Sequence, residues 1–204
     1  MTETTEARVG LGRLLDELAR DGWLVGLNSD ADPALSRMDP RTGIYSGEYL
    51  DDLIREAVVD ARAERRRLLD GPQAHRVGLV EVAVLGWEEI LERHGDAVAL
   101  PLEREVARRL AECLRAEDAL GRRTVDRFRL LLRGCDPEHL PIIAGRCASA
   151  LAGESVVTGA GPIPLGAASI YVDWEGEDPE VFSRRATVAL DAEVERLDNE
   201  ARDG

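Results

Sequence analysis

Leu11, Leu14, Leu15 and Leu18 fall at the i, i+3, i+4, i+7 spacing of a single helix face. That spacing predicts an amphipathic helix over 6–22. Trp23, Leu24, Val25 and Leu27 extend the apolar character, and the stretch from Asn28 to Ser36 is rich in Asn, Asp, Ser and Pro, a loop composition. A turn at Asp39-Pro40-Arg41-Thr42-Gly43 leads into a long helix over 47–69. Val80, Val82 and Val84 alternate with Glu81 and Ala83, which predicts a strand over 77–85. A short helix over 87–93 ends at Gly95, and Pro101 opens another with Leu102, Val106, Leu110 and Cys113 along one face. A tight turn, an apolar strand over 128–132, a helix from Asp136-Pro137 to Leu151, strands near 155–158 and 165–172, and a helix over 179–197 complete the order. Strands mixed with helices predict an α+β fold whose sheet is covered on one face or both. Residues 1–37 read as a helix and linker appended to one domain over 38–204.

Charge and residue usage narrow what this domain can do. The chain has 204 residues, 40 of them acidic and 26 basic, for a net charge of −14. Such a surface does not gather a nucleic acid polymer or an anionic membrane by bulk attraction. Every basic residue is Arg, so lysine Schiff bases, a P-loop lysine and a lysine general base are excluded. Cys113, Cys135 and Cys147 are odd in number and form no C-x-x-C pair, which argues against a disulfide framework or a zinc knuckle. His75, His94 and His139 are scattered, without metal-ligand spacing. Met1 to Glu6 is polar with no apolar signal segment behind it, and no apolar run approaches 18 residues, so the expected compartment is the cytoplasm. Arg65-Arg66-Arg67 reads as a solvated helix face, Trp174 to Glu180 as a solvated acidic turn, and Trp87 as core.

Four segments stand in order within the domain: Asp39-Pro40-Arg41-Thr42-Gly43-Ile44; Ala83-Val84-Leu85-Gly86-Trp87-Glu88, followed by His94-Gly95-Asp96; Arg122-Arg123-Thr124-Val125-Asp126-Arg127-Phe128; and Arg185 to Glu193. Over about 38–199 they resemble the GGDEF domain of bacterial diguanylate cyclases. The corresponding family signatures are D-P-x-T-G-(L/I), D-x-D-x-F-K with Y-G-H, R-(Y/L)-G-G-(D/E)-E-F and R-A-D-x-A-L-Y-x-A-K. The resemblance implies a nucleotidyl-cyclase-like architecture, a central mixed and mainly antiparallel sheet flanked by helices. It also implies where GTP chemistry would run. Joining two GTP molecules needs divalent cations held by carboxylates, to neutralise phosphate charge and activate a 3′-hydroxyl. The family's metal-binding Asp falls at Ala83, and the second Asp of that strand at Leu85. Asp126 keeps the third letter of the hairpin signature, but Arg127 puts a fixed positive charge in place of Glu. Thr124 and Val125 replace the glycines that let backbone pass close to the nucleotide. The family's guanine readers fall at Leu91 and Leu100, and its phosphate-binding Lys at Glu193. The resemblance thus implies a degenerate former active site, with no catalytic residue, no metal and no cofactor.

Many members of the family also carry a product site marked by R-x-x-D, its Asp five residues before the hairpin signature. R-x-x-D occurs six times here, and only Arg115-Ala116-Glu117-Asp118 stands in that register. A second family Arg, in the helix after the hairpin, falls at Arg146. The ligand implied is cyclic di-GMP. A guanidinium meets guanine O6 and N7 with two parallel hydrogen bonds, and a carboxylate accepts from N1–H and N2–H. The function expected is a non-catalytic cyclic di-GMP receptor that signals to a protein partner through Arg115, Asp118 and Arg146. The alternative is a nucleotide-free pseudoenzyme acting as an interaction or dimerisation module through the N-terminal helix. The Leu11–Leu18 stripe must be buried, either folded back on its own domain or against a dimer or partner surface, because each buried Leu contributes roughly 1.5–3 kcal/mol. Deleting residues 1–30 is therefore expected to lower solubility, change the oligomeric state or abolish a protein contact. Size-exclusion chromatography with light scattering, melting curves and pull-downs check this; no change in any of them would mark the helix as a passive tail.

Overall fold

The computed structural model describes residues 37–67 and 76–203. Of the expected helix and linker over 1–37, residues 1–36 lie outside the described residues. The elements in order are β1 (Tyr45–Ser46), α1 (Gly47–Arg67), β2 (Val77–Leu85), α2 (Trp87–His94), α3 (Ala99–Glu112), β3 (Ala119–Arg122), β4 (Arg127–Arg133), α4 (Leu140–Ala152), β5 (Val156–Thr158), β6 (Gly161–Ile163), β7 (Gly166–Asp173) and α5 (Pro179–Asp203). Five strands form one sheet in the order β1-β3-β4-β2-β7. The β1–β3 pair is parallel and the other three pairs are antiparallel, so the α+β class and the mixed, mainly antiparallel sheet are as expected. Among the described residues no helix is long and apolar enough to cross a membrane.

Three boundaries differ from the sequence reading. The region between α4 and β7 holds a separate hairpin, β5–β6, turning at Gly161 with a φ of 101°. Thr158 closes it by donating its hydroxyl to the Gly161 carbonyl at 2.9 Å. Helix α3 starts at Ala99, ahead of Pro101, because a 3-10 turn over Asp96–Val98 feeds straight into it and a first-turn Pro lacks only an N–H that would be unpaired anyway. The Trp174–Glu180 segment is not merely a solvated turn. The Trp174 indole donates to the Glu177 carbonyl at 2.8 Å, and the Glu177 carboxylate takes Arg185 Nε at 3.1 Å.

Both faces of the sheet are covered. Val80, Val82, Val84, Phe128, Leu130 and Leu132 pack toward α2, α3 and α4, with Trp87 and Cys113 in the same core. The opposite face, with Leu79 and Leu131, packs on Leu50, Ile54 and Val58 of α1 and Phe182 and Ala186 of α5. The close seating of α1 requires Gly121, where a Cβ would lie 2.8 Å from the Leu50 Cβ. Alternation along β2 therefore does not separate wet positions from dry ones. Glu81 is 1% exposed, and its register partner on β4, Arg129, is 0% exposed.

This buried pair is fully engaged. Arg129 Nε donates to Glu81 at 2.7 Å, and Nη2 also reaches Glu81. The rest of the guanidinium serves the Ser183 carbonyl at 3.0 Å, the Thr187 hydroxyl at 2.9 Å and Asp51 at 3.3 Å. Burial lowers the Arg129 pKa, opposed by the charge of Glu81. A second network ties the opening turn to β3 and α3. Asp39 accepts from the Thr42 amide at 2.9 Å and hydroxyl at 2.7 Å, and pairs with Arg122 at 3.1 Å. Buried Glu103 takes Arg41 at 2.6 Å and Arg122 at 3.2 Å. Burial pushes the Asp39 carboxyl up, but Thr42 and Arg122 outweigh it and hold its pKa below the ordinary value.

Removing one member of a buried pair strands the other. Arg129→Leu is expected to cost about 3–5 kcal/mol. Glu81→Leu combined with Arg129→Met should recover most of that loss. Urea denaturation of the wild type and the two variants checks both; equal stability of the single and double variants would overturn the assignment.

Candidate functional site

The β3–β4 hairpin runs the length of the sheet and carries a candidate site at each end. At its tip, the Arg123 and Thr124 amides both donate to the Arg127 carbonyl, at 2.8 and 3.2 Å. The tip leans on β2 through the Val84 amide, which donates to the Asp126 carbonyl at 2.8 Å. Ala83 is the register partner of Arg127. Folding thus brings Ala83, Thr124, Val125, Asp126 and Arg127 to one end of the sheet. Asp126 accepts from the Thr124 hydroxyl at 2.6 Å, and Arg127 pairs with Asp191 on α5. Val125 is exposed and Ala83 is buried, with no side-chain donor of its own.

Leu91 packs half-buried against the α2–α4 core, and Leu100 is half-buried at the start of α3. Glu193 pairs with Arg196 at 2.7 Å, and that hydrogen bond lowers its pKa. Counted letter by letter from Arg185, the final Lys of the helix signature falls at Val194, one residue past Glu193. Val194 packs half-buried beside Leu190, so neither position offers a cation.

A cleft of about 490 Å³ lies between the start of α1, the tip and α5, lined among others by Glu48, Asp51, Arg123, Arg127 and Asp191. Its cations are neutralised from within: Arg123 meets both oxygens of Asp51 at 2.8 Å, and Arg127 meets Asp191. The donor set does not fit a divalent cation. A methyl group and a paired guanidinium occupy two of the signature positions, and among the described residues no three His, Cys, Asp or Glu side chains converge as metal ligands. Sequence reasoning missed Asp51 and Asp191. For Asp191 a signal existed: it stands at the Tyr of R-A-D-x-A-L-Y, an acidic change matching the basic change at Arg127.

The base of the hairpin is different. Asp118 precedes β3 and accepts the Arg115 amide at 3.0 Å on one oxygen and the Arg133 amide at 3.3 Å on the other. It thereby closes the turn after α3 and ties it to the end of β4. Burial raises the Asp118 pKa, only partly offset by those two amides. The Arg115 side chain is exposed, and among the described residues no carboxylate lies within ion-pairing distance of it. Arg146, exposed on α4, reaches the Cys113 carbonyl at the end of α3, two residues before Arg115. Arg115, Asp118 and Arg146 therefore share one surface. All three cysteines are buried thiols nearby; burial pushes Cys147 up to about 12, with Cys113 adding to the shift.

Comparison with known proteins gives one family and one shared fold. The family described as diguanylate cyclase, GGDEF domain, matches residues 36–196. A search of curated proteins finds no match. The FimX GGDEF domain from Pseudomonas aeruginosa superposes with a TM-score of 0.71 at 19% identity, covering 79% of this chain and 95% of that one. The P. aeruginosa diguanylate cyclase SiaD, solved with its activator SiaC, gives 0.69 at 21% identity over 96% of this chain and 69% of that one. The GGDEF domain of DgcB from Caulobacter crescentus, solved with c-di-GMP, gives 0.65 at 13% identity over 82% and 92%. At these identities the structures establish the shared fold alone.

Because Asp118 closes two backbone contacts, Asp118→Ala is expected to speed amide exchange at Arg115 and Arg133. It should also cost about 1–3 kcal/mol for the donors left unmatched. Hydrogen-exchange NMR and thermal melts check this; unchanged protection at both amides would contradict it.

Proposed function

The chain belongs to the GGDEF-domain family of diguanylate cyclases, and from that premise we propose a non-catalytic member that binds cyclic di-GMP and passes the signal to a protein partner. The observation that carries this reading is the contrast between the two ends of the hairpin. At the tip, Arg123 and Arg127 are neutralised by Asp51 and Asp191, and Ala83 stands where a metal would need a carboxylate. At the base, Arg115 extends into solvent without an ion pair among the described residues.

The base can do the required chemistry. A guanidinium has five N–H donors, so Arg146 can keep one on Cys113 and turn others toward a ligand. Each Asp118 oxygen accepts one amide and retains a lone pair for a guanine N–H. Arg115 supplies the fork for O6 and N7 and offsets phosphate charge. The DgcB domain solved with c-di-GMP and the SiaD–SiaC complex supply precedents on this fold for the ligand and for a protein partner. The segment over 6–22, whose sequence predicts an amphipathic helix, is the one proposed to meet that partner.

Calorimetric titration is expected to give micromolar or tighter binding, about −8 kcal/mol, weakening as salt rises. Arg115→Ala should cost about 1–3 kcal/mol, and Arg127→Ala should leave affinity nearly unchanged. The ionised form of Asp118 accepts guanine N–H, so affinity should fall as pH drops, with a midpoint above the ordinary carboxylate value of 3.8. GTP with Mg²⁺ or Mn²⁺ should yield no cyclic di-GMP. Product above a no-enzyme control would overturn the non-catalytic reading. No binding at high micromolar ligand would assign the domain to the interaction-module reading.

A further inference from the structure

The two edges of the sheet are unequal. β1 closes one edge with 2 residues, whereas β7 forms the other with 8 and pairs only with β2 among the described residues. The Trp174 amide donates to the Val77 carbonyl at 2.9 Å, which fixes the parity of that ladder. Ala168, Ile170 and Val172 turn their backbone groups toward β2, so Ala167, Ser169 and Tyr171 turn theirs outward. The outward row ends at Asp173, whose carbonyl accepts from Arg185. The devices that blunt such an edge are missing: from Gly166 to Val172 the ladder runs without a bulge, a Pro or a charged side chain.

Charge and shape both point to a second copy of this chain as the occupant. No residue between Glu154 and Asp173 is charged, in a chain that is 32% charged. At a net charge of −14 two copies repel each other over most of their surface, and this strand lets them meet without opposing carboxylates. The edge is also self-complementary about a two-fold axis at Ser169. That axis sets Ser169 against its own copy and Tyr171 against the second copy's Ala167, side chains on the same face. Each of these residues then gives its N–H and accepts one at its carbonyl. Ser169 keeps its hydroxyl on the Ala144 carbonyl at 3.0 Å, so pairing costs it no contact. Tyr171, 46% exposed, lays its ring over a methyl group too small to obstruct it. Asp173 falls opposite Leu165 and not opposite another carboxylate. A foreign strand would need the same lack of charge and a small residue in the same place; a second copy carries both. We infer that β7 is a homodimer interface, in which β7 pairs antiparallel with β7 and joins two five-stranded sheets into one. This inference is independent of the ligand reading.

The test joins sedimentation velocity with amide hydrogen exchange on the full chain, wild type and Tyr171→Glu. At high micromolar concentration the wild type is expected to sediment at twice the chain mass. The amides of Ala167, Ser169 and Tyr171 should gain at least tenfold protection between low and high micromolar chain. Tyr171→Glu places a carboxylate at an exposed edge position. It should sediment as a monomer, with those amides open at every concentration and the melting temperature of dilute wild type. If that variant melts early, the exchange of the wild type decides alone. A monomeric wild type at high micromolar concentration would overturn the interface. So would a dimer whose three amides stay open, or one that a folded Tyr171→Glu leaves intact, since the copies would then meet elsewhere. Protection independent of concentration would mean that the chain covers its own edge. Protection of dilute chain only on addition of cell extract would assign the edge to another protein. Either result removes the homodimer.

Discussion

A guanidinium with no solvent exposure, at the centre of the sheet, decides how the two helices of one face are seated. Arg129 cannot shed its charge, so every group within its reach is conscripted to satisfy it. Glu81 does so from the neighbouring strand, Asp51 from α1, and Ser183 and Thr187 from α5. Such a pair adds little net stability over an apolar replacement, since desolvation offsets most of the Coulomb attraction. Its effect is positional. Asp51 also receives Arg123, so the place of α1 and the place of the hairpin tip are set by one carboxylate.

The same pair constrains register. Glu81 and Arg129 are opposite each other in the β2–β4 ladder. A one-residue slip would turn Arg129 toward Phe128's face, among valines and leucines that offer no acceptor. The hairpin therefore has one tolerable alignment, and this alignment sets the distance between its ends. The tip is sealed by ion pairs from its own chain, and the base presents Arg115 to solvent. One hairpin thus separates a cleft whose arginines are paired from a surface where a guanidinium is exposed.

Much of this was legible before folding. The long helix after the Asp39–Gly43 turn, the valines of β2 and the Pro101 helix are local patterns, and they survive in place. The hairpin and strand signatures also bring Ala83, Asp126 and Arg127 together as their order implies. What was not legible depends on partners distant in sequence. Glu81 in a run of valines looks like the wet side of a strand, and only helices on both faces make it dry. Asp191 and Asp51 acquire meaning only when α5 and α1 are laid beside the tip. Leu91 packs against the apolar core and Leu100 is half-buried at the start of α3, placements that depend on the packed helices. The strand expected near 155–158 is β5, but its partner β6 escaped notice because a three-residue strand carries too little periodicity to detect.

The absence of lysine gives the ion-pair network a one-sided response to the medium. Every described pair has Arg as its cation, from Arg41–Glu103 through Arg129–Glu81 to Arg196–Glu193. A lysine network dissolves near pH 10.4, whereas guanidinium keeps its proton beyond 12. Alkali therefore has no purchase on these contacts. Acid does: Glu105, drawn from 4.5 to about 2 by its hydrogen bond with Arg108 and then Arg109, stabilises the fold fully above its unfolded value and loses that contribution as pH falls toward 2. The carboxylates alone mark the limit of the electrostatic scaffold, and the protein's tolerance of pH opens upward.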